Sequence, residues 1–182
     1  MRSIKIVFLA VVMLFFLQSC DNKNELAIAR TSIIALDGTG EEIGLFYATY
    51  ENGVTSATVS LTGMPAGSIH AVHLHDGSCD NIGMHWNQGL DKSFCGEESM
   101  GKDWGKPFAG DFENIYIDNF GSGSRSVATN LWTIGTGNST DIDGKLVVVH
   151  AMASDFVLEC DPTHIPGHMH INPKIGCGVI SY

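Results

Sequence analysis

Three of the eight histidines of this chain lie in one short stretch, His70 to Asp76, which reads H-A-V-H-L-H-D. His73 and His75 are two residues apart and are flanked by apolar residues, a setting typical of a β-strand. Successive side chains of a strand point to opposite faces, so these two imidazoles share a face and could bind one metal ion. The alternative is an ordinary strand whose polar face carries two histidines by chance.

Two further histidines lie next to apolar or aromatic residues elsewhere in the chain. His85 lies in G-M-H-W-N, ten residues after His75, and His150 directly follows the apolar run Leu146 to Val149. Each of them alone would more often be a surface histidine or one whose hydrogen bonds are satisfied within the protein. Whether they can bind a metal therefore depends on whether the fold places them beside His73 and His75.

The elements that must position these side chains are short. Runs rich in Val, Ile, Thr and Tyr alternate with turn-forming residues such as Asp143-Gly144, and no long stretch with helical periodicity follows the leader. The pattern predicts an all-β fold, an eight-stranded antiparallel Greek-key barrel or sandwich, as a single domain over residues 27–182. The predicted strands lie at about 27–36, 43–50, 54–62, 68–75, 111–118, 124–133, 145–152 and 175–182.

Two connections between the predicted strands are unusually long, Asp76 to Lys106 and Ser154 to Lys174. Loops of that length inside a compact domain are usually functional. The second contains H-I-P-G-H-M-H, which could be an accessory metal-capture site or simply a polar loop. Its proline and glycine argue against a helix that would align the three histidines, which are His164, His168 and His170.

The first 19 residues have the composition of a secretory signal, with basic residues ahead of an apolar run and Ser19 before Cys20. The run is shorter than the roughly 20 residues that a membrane-spanning helix needs. The sequence L-Q-S-C resembles a bacterial lipobox, which predicts lipidation of Cys20; an ordinary cleaved signal is the alternative. We therefore predict a periplasmic or cell-surface lipoprotein with residues 20–26 as a tether, which contacts the membrane only through its lipid.

The chain is acidic, with a formal net charge of −10, and the leader holds two of its ten basic residues and no acidic one. Such a surface repels nucleic acid and anionic lipid, so neither is an expected partner. Nothing in the sequence determines the oligomeric state. With Cys20 assigned to lipid, four cysteines remain, and an even number in an exported protein favours two disulfides in one of three pairings.

The four histidines together resemble the copper site of the copper/zinc superoxide dismutase family. The matching segments are H-A-V-H-L-H-D, G-M-H-W-N, G-K-L-V-V-V-H and C-G-V-I, in the family's order, and weaker agreement runs from about residue 28 to the C-terminus. The resemblance implies that His70 is structural, that Cys79 and Cys177 form a disulfide, and that copper has four ligands: His73, His75, His85 and His150.

The same resemblance assigns two catalytic roles. In the family, the counterpart of His85 is thought to release copper and take a proton during reduction, and an arginine near the C-terminus attracts superoxide. Lys174 stands at that arginine's position and is the only Lys or Arg after Lys145. Lysine keeps the charge but loses the planar guanidinium, so we expect a slower, less steered enzyme than typical members.

The family's zinc site is largely missing. The second zinc histidine falls near 93–96 and the third is Phe108, so only Asp111 survives and a copper-only member is expected. Two replacements for the lost zinc ligands are conceivable: Cys95 as a thiolate, or the three histidines of the second long connection. For Cys95, a disulfide with Cys160 is favoured in an oxidising compartment. Without zinc, the far nitrogen of His85 needs another partner, and the candidates are Asp111, Asp155, Glu97 and Glu98.

These observations predict an antioxidant enzyme outside the cytoplasm, a copper-dependent superoxide dismutase that converts superoxide to oxygen and hydrogen peroxide. The alternative is a copper-binding or copper-delivery lipoprotein that kept the fold and lost catalysis. A structural β module with vestigial histidines is a third reading.

Overall fold

The computed structural model describes residues 26–95, 106–161 and 172–182. Cys20, the leader and the cluster of His164, His168 and His170 lie outside these residues. The described chain forms nine strands and one short helix: β1 Ala27–Ala35, β2 Glu42–Glu51, β3 Val54–Leu61, β4 Ile69–Ser78, β5 Asn81–His85, β6 Asp111–Tyr116, β7 Gly123–Thr129, β8 Leu146–His150, α1 Phe156–Glu159 and β9 Lys174–Val179. Within these ranges, no helix has the length and apolar character required to span a membrane.

All nine strands belong to one antiparallel sheet with the order β5-β4-β8-β9-β1-β2-β3-β7. β4 pairs with β8 along one edge and with both β6 and β5 along the other. β6 pairs with the first half of β4, and β5 pairs with its second half. β4 therefore lies at the centre of the region that holds the histidines.

The all-β prediction is confirmed, and each of the eight predicted runs contains a strand, but the number eight is wrong. The ninth strand, β5, lies in the first long connection, because β4 continues past Asp76 to Ser78 and the chain turns back beside it. β5 has only five residues, and its two large apolar side chains form no buried face, since Ile82 is half-buried and Met84 is 65% exposed.

The main core lies on one face of the sheet. Strands β1 to β3 alternate buried and exposed residues, as period-two side chains require, and Trp86, Phe112 and Trp132 fill the centre. On β4, Val72 and Leu74 face this core, which places His73 and His75 on the opposite face. The histidines are also buried, since the loops and the neighbouring strands cover that face.

Two disulfides tie the long connections to the sheet. Cys79 is bonded to Cys177 with 5.7 Å between their Cα atoms, which joins the end of β4 to β9. Cys95 is bonded to Cys160, which joins the first long connection to the end of α1. The favoured pairings are thus both present, and a disulfide-bonded Cys95 has no thiolate to offer a metal.

Candidate metal centre

Four histidines from three strands meet on the covered face of the sheet. Each of His73, His75, His85 and His150 presents one ring nitrogen, and these nitrogens all lie within 4.8 Å of one another. The pairing of the strands explains the convergence: His75 lies directly opposite His85 on β5, and β8, which ends in His150, is the neighbour of β4 on its other side. The sheet therefore joins residues that are up to 77 positions apart in sequence.

Three of these rings use Nδ1 for a hydrogen bond within the protein. His75 Nδ1 lies 3.0 Å from the carbonyl oxygen of Gly83, and His150 Nδ1 lies 3.0 Å from that of Asn172. A carbonyl oxygen only accepts, so in both rings Nδ1 carries the hydrogen and Nε2 is left with a lone pair. His85 Nδ1 lies 2.6 Å from the Asp111 carboxylate, which also only accepts, so in the neutral form of this ring Nε2 carries the lone pair.

The inward-facing nitrogens are arranged for a cation. His75 Nε2 and His150 Nε2 are 3.3 Å apart, and because both carry lone pairs, no hydrogen lies between them to bond. His73 Nδ1 is buried and has no hydrogen-bond partner among the residues that the structure describes. A metal ion bound by the four nitrogens would satisfy all of them, and an all-imidazole set suits copper. The residues present therefore fit copper.

The electrostatics of the cluster keep three of its imidazoles neutral. Burial, reinforced by the neighbouring histidines, lowers the pKa of His75 to about 3 and holds the pKa of His73 well below its ordinary 6.5. Burial likewise lowers the pKa of His150 to about 4. A neutral ring is the form that binds a metal, so at pH 7 these three rings need not lose a proton first.

The far side of His85, where the family places zinc, is occupied by groups of the chain itself. The Asp111 carboxylate accepts from His85 with Oδ1 and from the backbone N–H of Phe108 with Oδ2. Burial raises the pKa of Asp111, and the hydrogen bond from His85 opposes that rise. The Phe108 ring packs edge-on at 5.6 Å from the His85 ring. In the described ranges, the four histidines form the only group of metal-binding side chains, so the described residues do not provide a zinc site here.

The remaining residues singled out from the sequence lie around the cluster. His70 bonds the carbonyl oxygen of His150 through Nδ1 and Ser68 Oγ through Nε2, the arrangement expected of a structural histidine. Lys174 is exposed at the start of β9 in register with His150, and its positive charge contributes to the low pKa values of His75 and His150.

Of the four partners proposed for the far nitrogen of His85, the structure supplies Asp111. Asp155 instead caps α1, where its carboxylate accepts from the N–H of Leu158. Glu97 and Glu98 lie outside the described residues.

Three residues near the site were not identified from the sequence. Ser154 Oγ lies 3.1 Å from His73 Nε2, and Asn114 bonds the backbone of Ser154. The pKa of Glu159, on α1, is raised to about 7 by burial and by the nearby Asp111 carboxylate. These residues carry no motif, and only the folding of the second long connection onto β6 brings them close.

The fold and the site together define a metal-binding protein built on one curled antiparallel sheet. Residues 43–180 match the family model described as copper/zinc superoxide dismutase (SODC). The chain therefore belongs to the copper/zinc superoxide dismutase family. No curated protein matches it significantly.

Solved structures of a SOD-like protein from Bacillus subtilis share the fold. A double mutant of that protein is 20% identical, with a TM-score of 0.61, over 84% of this chain and 97% of the other. A single mutant is 19% identical, with a TM-score of 0.60, over 84% and 97%. A third crystal structure of a SOD-like protein from this organism is 18% identical, with a TM-score of 0.59, over 82% and 96%.

Proposed function

We propose that this chain is a copper-dependent superoxide dismutase of a copper-only kind. Two superoxide anions and two protons would give oxygen and hydrogen peroxide. The observation that carries the proposal is the convergence of four imidazole nitrogens, three of them left as lone pairs by hydrogen bonds on the other side of the ring. Copper, when bound, supplies the one-electron oxidation and reduction that dismutation requires.

The four histidines would have two different roles, metal binding and proton transfer. His73, His75 and His150 are almost fully buried and would hold the metal throughout. The side chain of His85 is 16% exposed, and its Nδ1 is held by Asp111. Its Nε2 is therefore the ring nitrogen best placed to take a proton from solvent and give it to the nascent peroxide.

Attraction of the substrate would depend on Lys174. Superoxide is an anion and the protein is acidic, so encounter needs a local positive field beside the copper. Lys174 is exposed, and its charge acts on two of the four histidines. This combination supports a guiding role at the rim of the site.

The groups around His85 support a site without zinc. Asp111 accepts from the far nitrogen of His85, which satisfies it without a second metal, and the Phe108 ring packs beside it. Metal analysis of the purified protein should therefore find copper and less than one zinc per copper. One tightly held zinc per copper would contradict the copper-only proposal.

Export and lipidation are part of the same proposal. The two disulfides are consistent with a compartment outside the cytoplasm, and the lipobox-like L-Q-S-C supports an anchor at Cys20. Growth with a labelled fatty acid should label the protein, and Cys20→Ser should abolish the label. Labelling that persists in the Cys20→Ser protein would contradict the anchor.

A non-catalytic copper-binding or copper-delivery lipoprotein is the second candidate. The loss of the zinc histidines and the lysine at position 174 favour it, because both depart from the catalytic pattern of the family. The test uses the mature chain with Cys20→Ser, loaded with copper, against a His150→Ala variant. Rapid superoxide consumption that disappears with His150 supports the enzyme, whereas stoichiometric copper without turnover supports the binding protein.

A further inference from the structure

His73 differs from the other three histidines of the cluster in the nitrogen that it turns inward. His75, His85 and His150 bond to the protein through Nδ1 and present Nε2. His73 bonds through Nε2, to the Ser154 hydroxyl at 3.1 Å, and its Nδ1 is the buried nitrogen without a partner among the described residues. The proton of His73 must therefore sit on Nε2 if Nδ1 is to bind a metal.

The partner of His73 is also of a different kind. The acceptors for the other three rings are two backbone carbonyls and a carboxylate, which can only accept. A hydroxyl can donate or accept, so Ser154 does not by its chemistry alone determine which nitrogen of His73 is protonated. Its surroundings decide the direction of the hydrogen bond.

The first neighbour that affects this hydrogen bond is Asn114, which forms two hydrogen bonds with the backbone of Ser154. Its Nδ2 donates to the carbonyl oxygen of Ser154 at 2.9 Å, and its Oδ1 accepts from the N–H of Ser154 at 2.8 Å. Asn114 lies on β6 in register with Ala71 on β4, two residues from His73. The two bonds anchor the backbone of Ser154 to the strand beside the cluster, which keeps the hydroxyl against the His73 ring.

The second neighbour is Glu159, whose carboxylate can accept the hydrogen of the Ser154 hydroxyl. The Glu159 carboxylate on α1 lies near enough to the Ser154 side chain for hydrogen bonding between them to oppose the rise in the pKa of Glu159. If Ser154 donates to Glu159, its oxygen is free to accept from His73 Nε2–H. The reverse direction would put a hydrogen on His73 Nδ1, where no described group accepts it, and a buried N–H without an acceptor is rare.

We infer that Ser154, anchored by Asn114, is a positioning residue that holds His73 in its Nε2–H tautomer and directs Nδ1 into the metal centre. The inference rests on the proposed copper site, and it assigns to a serine the role that backbone carbonyls and Asp111 have for the other ligands. A hydroxyl accepts more weakly than a carboxylate, so His73 is the ligand whose orientation depends most on the anchoring of its partner.

The experiment reads the tautomer without metal or activity. In the metal-free protein, with Cys20→Ser, the ¹⁵N chemical shifts of the His73 ring should report a protonated Nε2 and an unprotonated Nδ1. Ser154→Ala should shift His73 toward a mixture of the two tautomers, and Ser154→Thr, which restores a hydroxyl, should return it to the wild-type state. Asn114→Ala should produce a smaller shift in the same direction, because the hydroxyl remains but its backbone loses its anchor.

Ser68→Ala is the matched control. It removes a serine hydroxyl that lies 2.7 Å from Nε2 of His70, the structural histidine on the same strand, and it should leave the His73 tautomer unchanged. If Ser154→Ala shifts the His73 nitrogens no more than Ser68→Ala does, the inference is wrong.

Copper binding gives a second readout. Competition with a chelator should show that Ser154→Ala weakens copper binding by about 10- to 100-fold and that Ser154→Thr restores it. The electron paramagnetic resonance spectrum of bound Cu(II) should also change in Ser154→Ala. Unchanged affinity and an unchanged spectrum in Ser154→Ala would overturn the inference. If the wild-type protein bound no copper while the tautomer still depended on Ser154, the proposed function would fail instead.

Discussion

The Asp111 carboxylate lies 2.6 Å from Nδ1 of His85, and this hydrogen bond holds the cluster imidazole whose side chain is partly exposed to solvent. Asp111 is completely buried, and its second oxygen accepts from the backbone N–H of Phe108. A residue that the family uses to bind zinc thus serves here as a direct hydrogen-bond acceptor for a histidine. This hydrogen bond is sufficient to orient the ring of His85, whether or not a second metal is bound.

Asp111→Asn should impair copper binding more than it changes the fold. The amide oxygen is needed by the Phe108 N–H, so the amide would turn its NH₂ group toward His85 Nδ1 and force the hydrogen of His85 onto Nε2. We expect copper affinity to fall by about 10- to 100-fold in a chelator competition assay. The exposed Asp91→Asn is the control for the same chemical change, and equal affinities in the two variants would contradict the role of Asp111.

Lys174→Glu should slow superoxide consumption at low ionic strength. Reversal of the charge removes the positive field beside His75 and His150, and we expect roughly a tenfold loss of rate. The difference should shrink as salt is added, because exposed charges are screened over about 10 Å at 0.1 M. Pulse radiolysis across a salt series measures it.

Arg30→Glu is the control for that experiment, since it changes the net charge equally on β1, where Arg30 lies in register with Tyr47 rather than with a histidine. If both reversals slow the reaction to the same extent, the effect belongs to the net charge of the protein and Lys174 has no specific role.

The buried histidines should make the metal-free protein less stable as the pH falls. The pKa of His75 is about 3 and that of His150 about 4, both below the ordinary 6.5. Below pH 6.5 the unfolded chain therefore binds more protons, and each histidine lowers the free energy of unfolding by up to about 1.4 kcal/mol per pH unit. This contribution to stability is fully present above pH 6.5 and is lost as the pH falls toward 4.

Urea denaturation between pH 7.5 and 5 measures this dependence. Glu159, with its pKa raised to about 7, acts in the opposite direction over the same range, so the prediction concerns a difference between proteins. A His75→Gln, His150→Gln double variant should lose less stability than wild type as the pH is lowered. An equal or greater loss in the variant would show that the two histidines do not titrate as the structure implies.

Removal of the bridge between Cys79 and Cys177 should be strongly destabilising. The two residues are 98 positions apart, and closing a chain segment of that length restricts the unfolded state. Cys79→Ser with Cys177→Ser should lower the free energy of unfolding by about 2 to 5 kcal/mol in urea denaturation.

The Cys95→Ser, Cys160→Ser pair is the comparison for the first bridge. It opens a segment of 65 positions, and its entropic effect should be similar because the dependence on length is logarithmic. Cys177 also packs in the core with Leu146 and Val148 beside the metal centre, so the first pair should cost more stability than the second. The reverse order would contradict this account.

Parts of the structure followed from local patterns. Runs rich in Val, Ile, Thr and Tyr over 43–50 and 54–62, each followed by turn-forming residues, predicted β2 and β3, because such side chains fit the half-buried surface of a sheet. β5 was not predicted, and the sequence pattern assigns its residues to a loop, because its pairing with β4 involves backbone groups and few buried apolar side chains. The backbone hydrogen bonds that define such a strand leave no mark on its residue types.

The sequence by itself determined that His73 and His75 share one face of a strand, since that follows from the geometry of two consecutive peptide units. Through its resemblance to a family it also indicated His85 and His150 as their companions. Only the tertiary structure decided which nitrogen of each ring faces the centre, because the groups that bond the other nitrogen are Gly83, Asp111, Asn172 and Ser154. These partners are brought to the histidines by strand pairing and loop packing, over separations of up to 81 positions, and no local pattern of residues encodes such contacts.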